Sequence, residues 1–258
     1  MDICVKEKKH ILLILLVLFY ACKQPSQSDS KVMVAVAANM QFATEAIAKA
    51  FIQKTEMECE LVVGSSGKLF SQIREGAPYD IFLSADSKYP ENLYAITKAK
   101  NKPKIYAEGK LVLWTMVSGL SPSLSVLSSD SVQHIALANP EIAPYGKAAI
   151  EVLDSHDLYP NLKDKLVFGE SISQTNQFIS SKSAEIGFTA LSVVLSPKMK
   201  NKGRWVALEE GTYRSISQSA LILNNEHGIS EAAMAFFDFL FSDGAQHILK
   251  EYGYSVPE

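Results

Sequence analysis

The chain has 258 residues, 47% of them hydrophobic and 21% charged, with 13 Gly and 10 Pro, which is enough apolar material for a sizeable core and neither a disordered nor a fibrous composition. A formal net charge of −3 offers no broad basic surface for a nucleic-acid backbone, so no nucleic-acid partner is expected. The three cysteines, Cys4, Cys22 and Cys59, are too few for a disulfide framework, and no two of them have zinc-site spacing.

Lys6, Lys8, Lys9 and His10 precede an unbroken apolar run from Ile11 to Ala21, the charged and hydrophobic segments of a targeting signal. The run is too short to span a bilayer, which takes roughly 20 apolar residues. It ends in Ala21-Cys22. A small residue before a cysteine at that place resembles a bacterial lipoprotein signal, with residues 1–22 as the signal and Cys22 as the lipidation site, although Phe19 and Tyr20 are bulkier than that pattern usually carries. Ordinary cleavage or an uncleaved anchor would leave the folded part on the same side. It is therefore expected in the periplasm or at the cell surface, in contact with the membrane only through its anchor. Residues 23–30 are polar and read as an unstructured linker. Removing the signal takes away Lys6, Lys8, Lys9, Asp2 and Glu7, so the remainder stays mildly acidic and bulk charge cannot be what holds an anion.

From Val32 short β-branched runs alternate with helical patterns, the signature of βα units in a largely parallel sheet. Val32 to Ala38 reads as a buried strand, and Phe42, Ala43, Ile47, Ala50 and Phe51 recur at helical spacing. Strands follow at 59–63, 79–83, 110–117 and 135–138, with a helix beginning at Leu69. Beyond them the pattern predicts helices over 147–153, 173–181, 231–241 and 245–252 and strands over 166–169, 186–189 and 217–223. Ser118 to Ser131 is the only long polar connection. So many short strands exceed one small sheet, so the chain is expected to form two α/β lobes, 31–110 plus 219–258 and 111–218, with a ligand cleft between them.

The informative places are the strand-to-helix turns, where the first N–H groups of a helix lack partners and carry the positive end of the dipole. In Ala37-Ala38-Asn39-Met40, Asn39 is a favourable N-cap residue. In Gly64-Ser65-Ser66-Gly67-Lys68 two hydroxyls and two glycines let side-chain and backbone donors converge. Asn139 to Gly146 delivers Tyr145 to a helix start, and Gly169 to Gln174 exposes the N–H of Ile172. Each turn alone is also what an ordinary helix cap looks like. Gly64 to Lys68 lacks the spacing of a phosphate loop, and no dinucleotide fingerprint follows any strand.

With these four turns in this order, the chain resembles the molybdate-binding protein family of bacterial ABC importers over essentially everything after residue 30. The resemblance rests on Val34 to Asn39, Gly64 to Gly67, Gly76 to Asp86, Asn139-Pro140-Glu141 with Ala143 to Gly146, and the terminal Tyr252-Gly253-Tyr254. It implies a two-lobed type II periplasmic binding fold, mixed sheets with helices on both faces, and a monomer that delivers molybdate or tungstate to a membrane permease. It implies anion contacts at Asn39, Ser66, Tyr145 and Ile172, with Ala38, Ser65 and Gly67 as further candidates, and no cofactor besides the ligand. Ala190 stands where some members place a tyrosine hydroxyl, so either Tyr145 supplies that hydroxyl or the pocket has one donor fewer. Lys68, beside the second turn, could add attraction or be a solvated lysine.

Molybdate is a dianion with only acceptor oxygens, so a pocket made solely of donors suits it. The alternative is the same fold holding another oxyanion such as sulfate or phosphate; phosphate keeps a proton that wants an acceptor, and only Glu170 is close in sequence to a proposed contact. A polyamine site would want carboxylates and aromatic faces, and an iron site tyrosine pairs. No enzyme is expected: no serine sits in Gly-x-Ser-x-Gly, and His10, His134, His156, His227 and His247 fall outside the four turns. No clustered Cys/His set points to a catalytic metal.

Overall fold

The computed structural model describes residues 30–97, 99, 101–224 and 228–257; the expected signal segment, Cys22, the linker up to Asp29 and His227 lie outside the described residues. β1 (Lys31–Ala37) runs through a 3-10 turn at Ala38–Met40 into α1 (Gln41–Thr55), followed by β2 (Glu58–Gly64), α2 (Ser66–Arg74), β3 (Ile81–Ser84), α3 (Lys88–Thr97) and β4 (Lys104–Gly109). β1 pairs in parallel with both β2 and β3. Its side chains show why both faces are covered: Val32, Val34 and Val36 enter one core with Phe51 and Phe236, while Ala35 enters another with Leu69 and Phe82. That is the period-2 alternation of a strand buried on two sides.

After Gly109 the chain passes to a second sheet built of β5 (Leu111–Thr115), β6 (Ile135–Ala138), α4 (Pro144–Ser155), α5 (Tyr159–Leu162), β7 (Leu166–Gly169), α6 (Ile172–Ser180), β8 (Ile186–Ala190), α7 (Leu191–Val194) and β9 (Arg204–Ala207). Its strand order is β7-β6-β8-β5-β9, with β6 parallel to its neighbours and β5 antiparallel to its own. β5 repeats the alternation, Leu111 and Leu113 on one face and Val112 and Trp114 on the other. The Ser-rich stretch is anchored, since Leu120, Leu127 and Val132 are buried in this lobe's core.

The chain returns in β10 (Ile216–Ile222), antiparallel between β3 and β4, and ends in α8 (Glu231–Leu240), α9 (Asp243–Glu251) and a tail whose Ser255 bridges back to Glu108. Ile216 and Ser217 pair with Gly109 and Glu108 of β4. Residues 216–218 therefore lie in the first sheet, and the return crossing falls ahead of the expected break at 218/219. Five elements do not follow from the pattern alone: the one-turn helices α5 and α7, too short to show a period, and α3, β4 and β9. α3 carries Pro90 in its first turn, which reads as a breaker but is tolerated there; β4 is half exposed at its start; and β9 is a short edge strand whose apolar Trp205, Val206 and Ala207 are exposed.

Candidate functional site

The four turns singled out by the sequence meet in one place. Ala38, Asn39, Ser65 and Ser66 from the first lobe face Tyr145 and Ile172 from the second across a small cleft with about 200 Å³ of empty volume, and the remaining lining residues are Ala37, Ala85, Ala143 and Pro144. No Lys, Arg, His, Asp or Glu is among them. Asn39, Ser65, Ser66, Tyr145 and Ile172 are all buried.

What these residues offer is donors. Ser66 and Ile172 are the first residues of α2 and α6, and Tyr145 is the second of α4 behind Pro144, which has no N–H. Asn39 is the second residue of the turn leading into α1. First-turn N–H groups have no intrahelical acceptor and sit at the positive end of the dipole. Ser66 Oγ accepts from Ala85 N–H at 3.0 Å, which leaves its own hydrogen free to donate. Ser65, the N-cap of α2, makes no side-chain cap bond, and its buried Oγ has no partner. Gly67 is spent elsewhere, its N–H donating across the cleft to Ile142 O at 2.9 Å, and it does not line the cleft.

Two side chains behave differently from expectation. Asn39 is not an N-cap: the cap is Ala37, with no side-chain bond, and both carboxamide hydrogens of Asn39 are used, on Gln218 Oε1 (2.8 Å) and Tyr254 Oη (3.1 Å). Only its backbone is left for a ligand. Tyr145 turns its hydroxyl away from the cleft: Oη packs so closely on Gly109 that a Cβ there would lie 2.1 Å from it. It is buried without a hydrogen-bond partner of good geometry, with Tyr254 and Asn39 as polar neighbours, and burial first, then the neighbouring tyrosines, hold its pKa well above the usual phenol range. What Tyr145 can offer the cleft is thus its N–H, and Ala190, buried at the end of β8, has no phenol to offer.

Around this neutral centre the loops are fixed by local bonds. Asp80 Oδ2 accepts from Met33 N–H at 2.8 Å, tying β3 to β1. Asp86 Oδ1 accepts from Ser84 Oγ (3.0 Å) and Tyr89 N–H (3.2 Å) at the start of α3, with burial pushing its pKa up against those bonds. Gln174 Oε1 accepts from Glu170 N–H at 2.6 Å and sets the turn before Ile172. At the rim Lys68 Nζ pairs with Glu170 Oε1 across the two lobes, each side chain about half exposed. Lys68 is thus engaged with a carboxylate rather than lining the cleft. Tyr89 Oη donates to Glu141 O at 3.3 Å beside it. Among the described residues no group of three or more His, Cys, Asp or Glu is placed to hold a metal ion.

Two α/β lobes closed over a cleft walled by helix N-termini define a two-lobed ligand-binding protein, the class in which a small solute is held between domains. Residues 32–255 match the family model described as bacterial extracellular solute-binding protein, and the chain belongs to that family. It is 37% identical to the molybdate-binding protein ModA of Rhodobacter capsulatus, over 87% of this chain and 88% of that one. It is 37% identical to ModA of Azotobacter vinelandii, over 88% and 90%. The solved periplasmic molybdate-binding protein of Azotobacter vinelandii superposes with a TM-score of 0.82 at 34% identity, covering 88% of this chain and 100% of that one. The arrangement of two mixed sheets is therefore the periplasmic binding-protein fold.

Proposed function

We propose that the protein captures molybdate, and tungstate with it, in the interlobe cleft and hands it to the membrane permease of an ABC importer, without chemistry on the ligand. The observation that carries this reading is the donor set: N–H groups of Asn39, Ser66, Tyr145 and Ile172 and hydroxyls of Ser65 and Ser66, drawn from both lobes, with no cation lining the cleft. A dianion that has only acceptor oxygens is complementary to such a set. Hydrogen bonds to a charged group contribute roughly 1.5–3 kcal/mol each. About six of them offset dehydration and lobe closure sufficiently to reach the −8 kcal/mol of a micromolar complex.

Bond length then sorts the dianions. Mo–O and W–O bonds are alike and longer than S–O, so donors set for the larger tetrahedron leave sulfate with stretched bonds. A protonated phosphate finds no carboxylate in the lining to take its proton, and Glu170, the nearest candidate in sequence, is occupied by Lys68. In this reading Cys22 carries the lipid that anchors a monomeric receptor in the periplasm or at the cell surface, on the outer face of the membrane that holds its permease. Calorimetry with molybdate, tungstate, sulfate and phosphate tests the assignment. Molybdate and tungstate should bind alike and sulfate far more weakly, and ligand at 100 times its Kd should stabilise the fold by about 2.7 kcal/mol. Tighter binding of sulfate or phosphate than of molybdate would overturn it.

A further inference from the structure

The geometry points to Tyr254 and Ser192 as positioning residues for the cleft, closing a ring of hydrogen bonds that joins both lobes and the C-terminal tail around Asn39. The inference rests on the oxyanion reading of the same cleft. Asn39 Nδ2 donates to Tyr254 Oη at 3.1 Å. Ser192 Oγ donates to Asn39 O at 2.7 Å. Tyr254 Oη lies 3.0 Å from both Asn39 O and Ser192 Oγ. A hydroxyl has one hydrogen. With the Asn39 carbonyl taken by Ser192 at the shorter distance, Tyr254 donates to Ser192 Oγ, and the circuit runs Asn39 Nδ2–H to Tyr254 Oη–H to Ser192 Oγ–H to Asn39 O. Every member donates once and accepts once, the arrangement in which neighbouring bonds polarise one another.

The ring has consequences for the cleft because of where its members come from. Asn39 follows β1 in the first lobe and Ser192 follows β8 in the second. Tyr254 arrives on a tail fixed by paired backbone bonds between Glu108 and Ser255, at 2.7 and 3.1 Å, next to the crossing at Gly109. The tail presses on the second lobe at Gly253, where a Cβ would lie 2.7 Å from Leu191 Cδ2. The ring is therefore complete at the interlobe angle seen here, and at that angle it holds Asn39 by both its carbonyl and its carboxamide, fixing the residue whose N–H faces the cleft. The second carboxamide hydrogen of Asn39 goes to Gln218, so the side chain cannot swing into the cleft and replace the geometry it sets.

Tyr254→Phe and Ser192→Ala each open the ring without replacing a lining residue. By isothermal calorimetry each should weaken molybdate binding about tenfold, and the double variant should be no weaker than about twentyfold because both cut one circuit. The ratio of molybdate to sulfate affinity should fall in both, which a loss of general stability would not cause. Ser192→Thr, which keeps a hydroxyl, should recover affinity lost in Ser192→Ala. If the variants lower the ligand-free melting temperature while Kd and the affinity ratio stay at the wild-type value, the ring is only structural and the proposal is overturned. Should one variant fail to fold, the other decides. A wild-type protein that binds no molybdate would instead overturn the oxyanion reading itself.

Discussion

At the base of the cleft Asn39, Ser192, Gln218 and Tyr254 are neutral and at most 4% exposed, whereas at its rim Lys68 and Glu170 are charged and 50% and 52% exposed. Both groups bridge the lobes, but by different physics. Buried neutral hydrogen bonds are short-ranged and costly to leave unmade, roughly 1–3 kcal/mol for each abandoned partner, so they fix geometry. An exposed ion pair contributes about 0–1 kcal/mol and is screened by salt, so it holds the rim loosely. A receptor that must release its ligand can tolerate a weak rim, but selecting one tetrahedron by size requires a rigid base.

The contact between Gly67 and Ile142 is where closure itself can be broken. A Cβ at Gly67 would lie 2.7 Å from Tyr89 Oη and 2.9 Å from Ile142 Cα, and the second neighbour is backbone that cannot step aside. Gly67→Ala should therefore weaken ligand binding by about 3 kcal/mol, the upper range of overpacking, while leaving the ligand-free protein unchanged or up to about 1 kcal/mol more stable through helix propensity in α2. Calorimetry and thermal unfolding on one variant read the two opposite effects, and unchanged affinity would mean that the lobes need not approach this closely. Ser66→Ala removes a donor and strands Ala85 N–H. A loss of about 1–3 kcal/mol in affinity is expected, independent of salt, without unfolding.

The buried phenols sharpen the contrast from the stability side. Burial raises Tyr254 to about 12 against its bonds to Ser192 and Asn39, and burial likewise holds Tyr145 well above the usual phenol range. Below pH 10 both phenols are protonated in folded and unfolded chains alike, so their contribution is fully present. Between pH 10 and about 12 the unfolded chain loses protons that the folded one keeps, so stability falls as pH rises. For Tyr254 alone the loss by pH 11 is about 1.4 kcal/mol. Denaturant titrations at pH 9 and 11 measure it, and Tyr254→Phe should flatten the slope; an identical slope would mean that Tyr254 ionises as freely as in the unfolded chain.

Much of the scaffold is legible locally, because strands such as Ile135–Ala138 and Leu166–Gly169 are short apolar runs bounded by turn residues, and Ser66 and Ile172 stand where a strand gives way to a helix. What lies behind the cleft is not. Tyr254 meets Asn39 across 215 positions of sequence, and no periodicity encodes that distance. Gln218 stands between Ser217 and Ser219 in β10 and carries no apolar signal of burial. It is nonetheless fully buried, re-aimed where the β4–β10 register shifts between Gln218 and Ser219 and satisfied by Asn39 and Ile216 O. Tyr145 is recognisable as a cleft residue from its helix start, but which end of it serves the ligand depends on Gly109 leaving room for its hydroxyl, a tertiary fact.

The rim offers the smallest effect and the clearest discrimination. Lys68→Ala leaves Glu170 unpaired beside an anion site, so affinity should fall by about threefold at low salt, within the range of an exposed pair. Glu170→Gln frees the lysine and should leave affinity equal or slightly higher. At an ionic strength near 1 M, where the screening length is about 3 Å, both variants should converge on the wild-type value, while Ser66→Ala should not. Calorimetry across a salt series makes the comparison. A salt-insensitive loss of more than tenfold in Lys68→Ala would put a cation in contact with the ligand, and the neutral base would no longer account for binding.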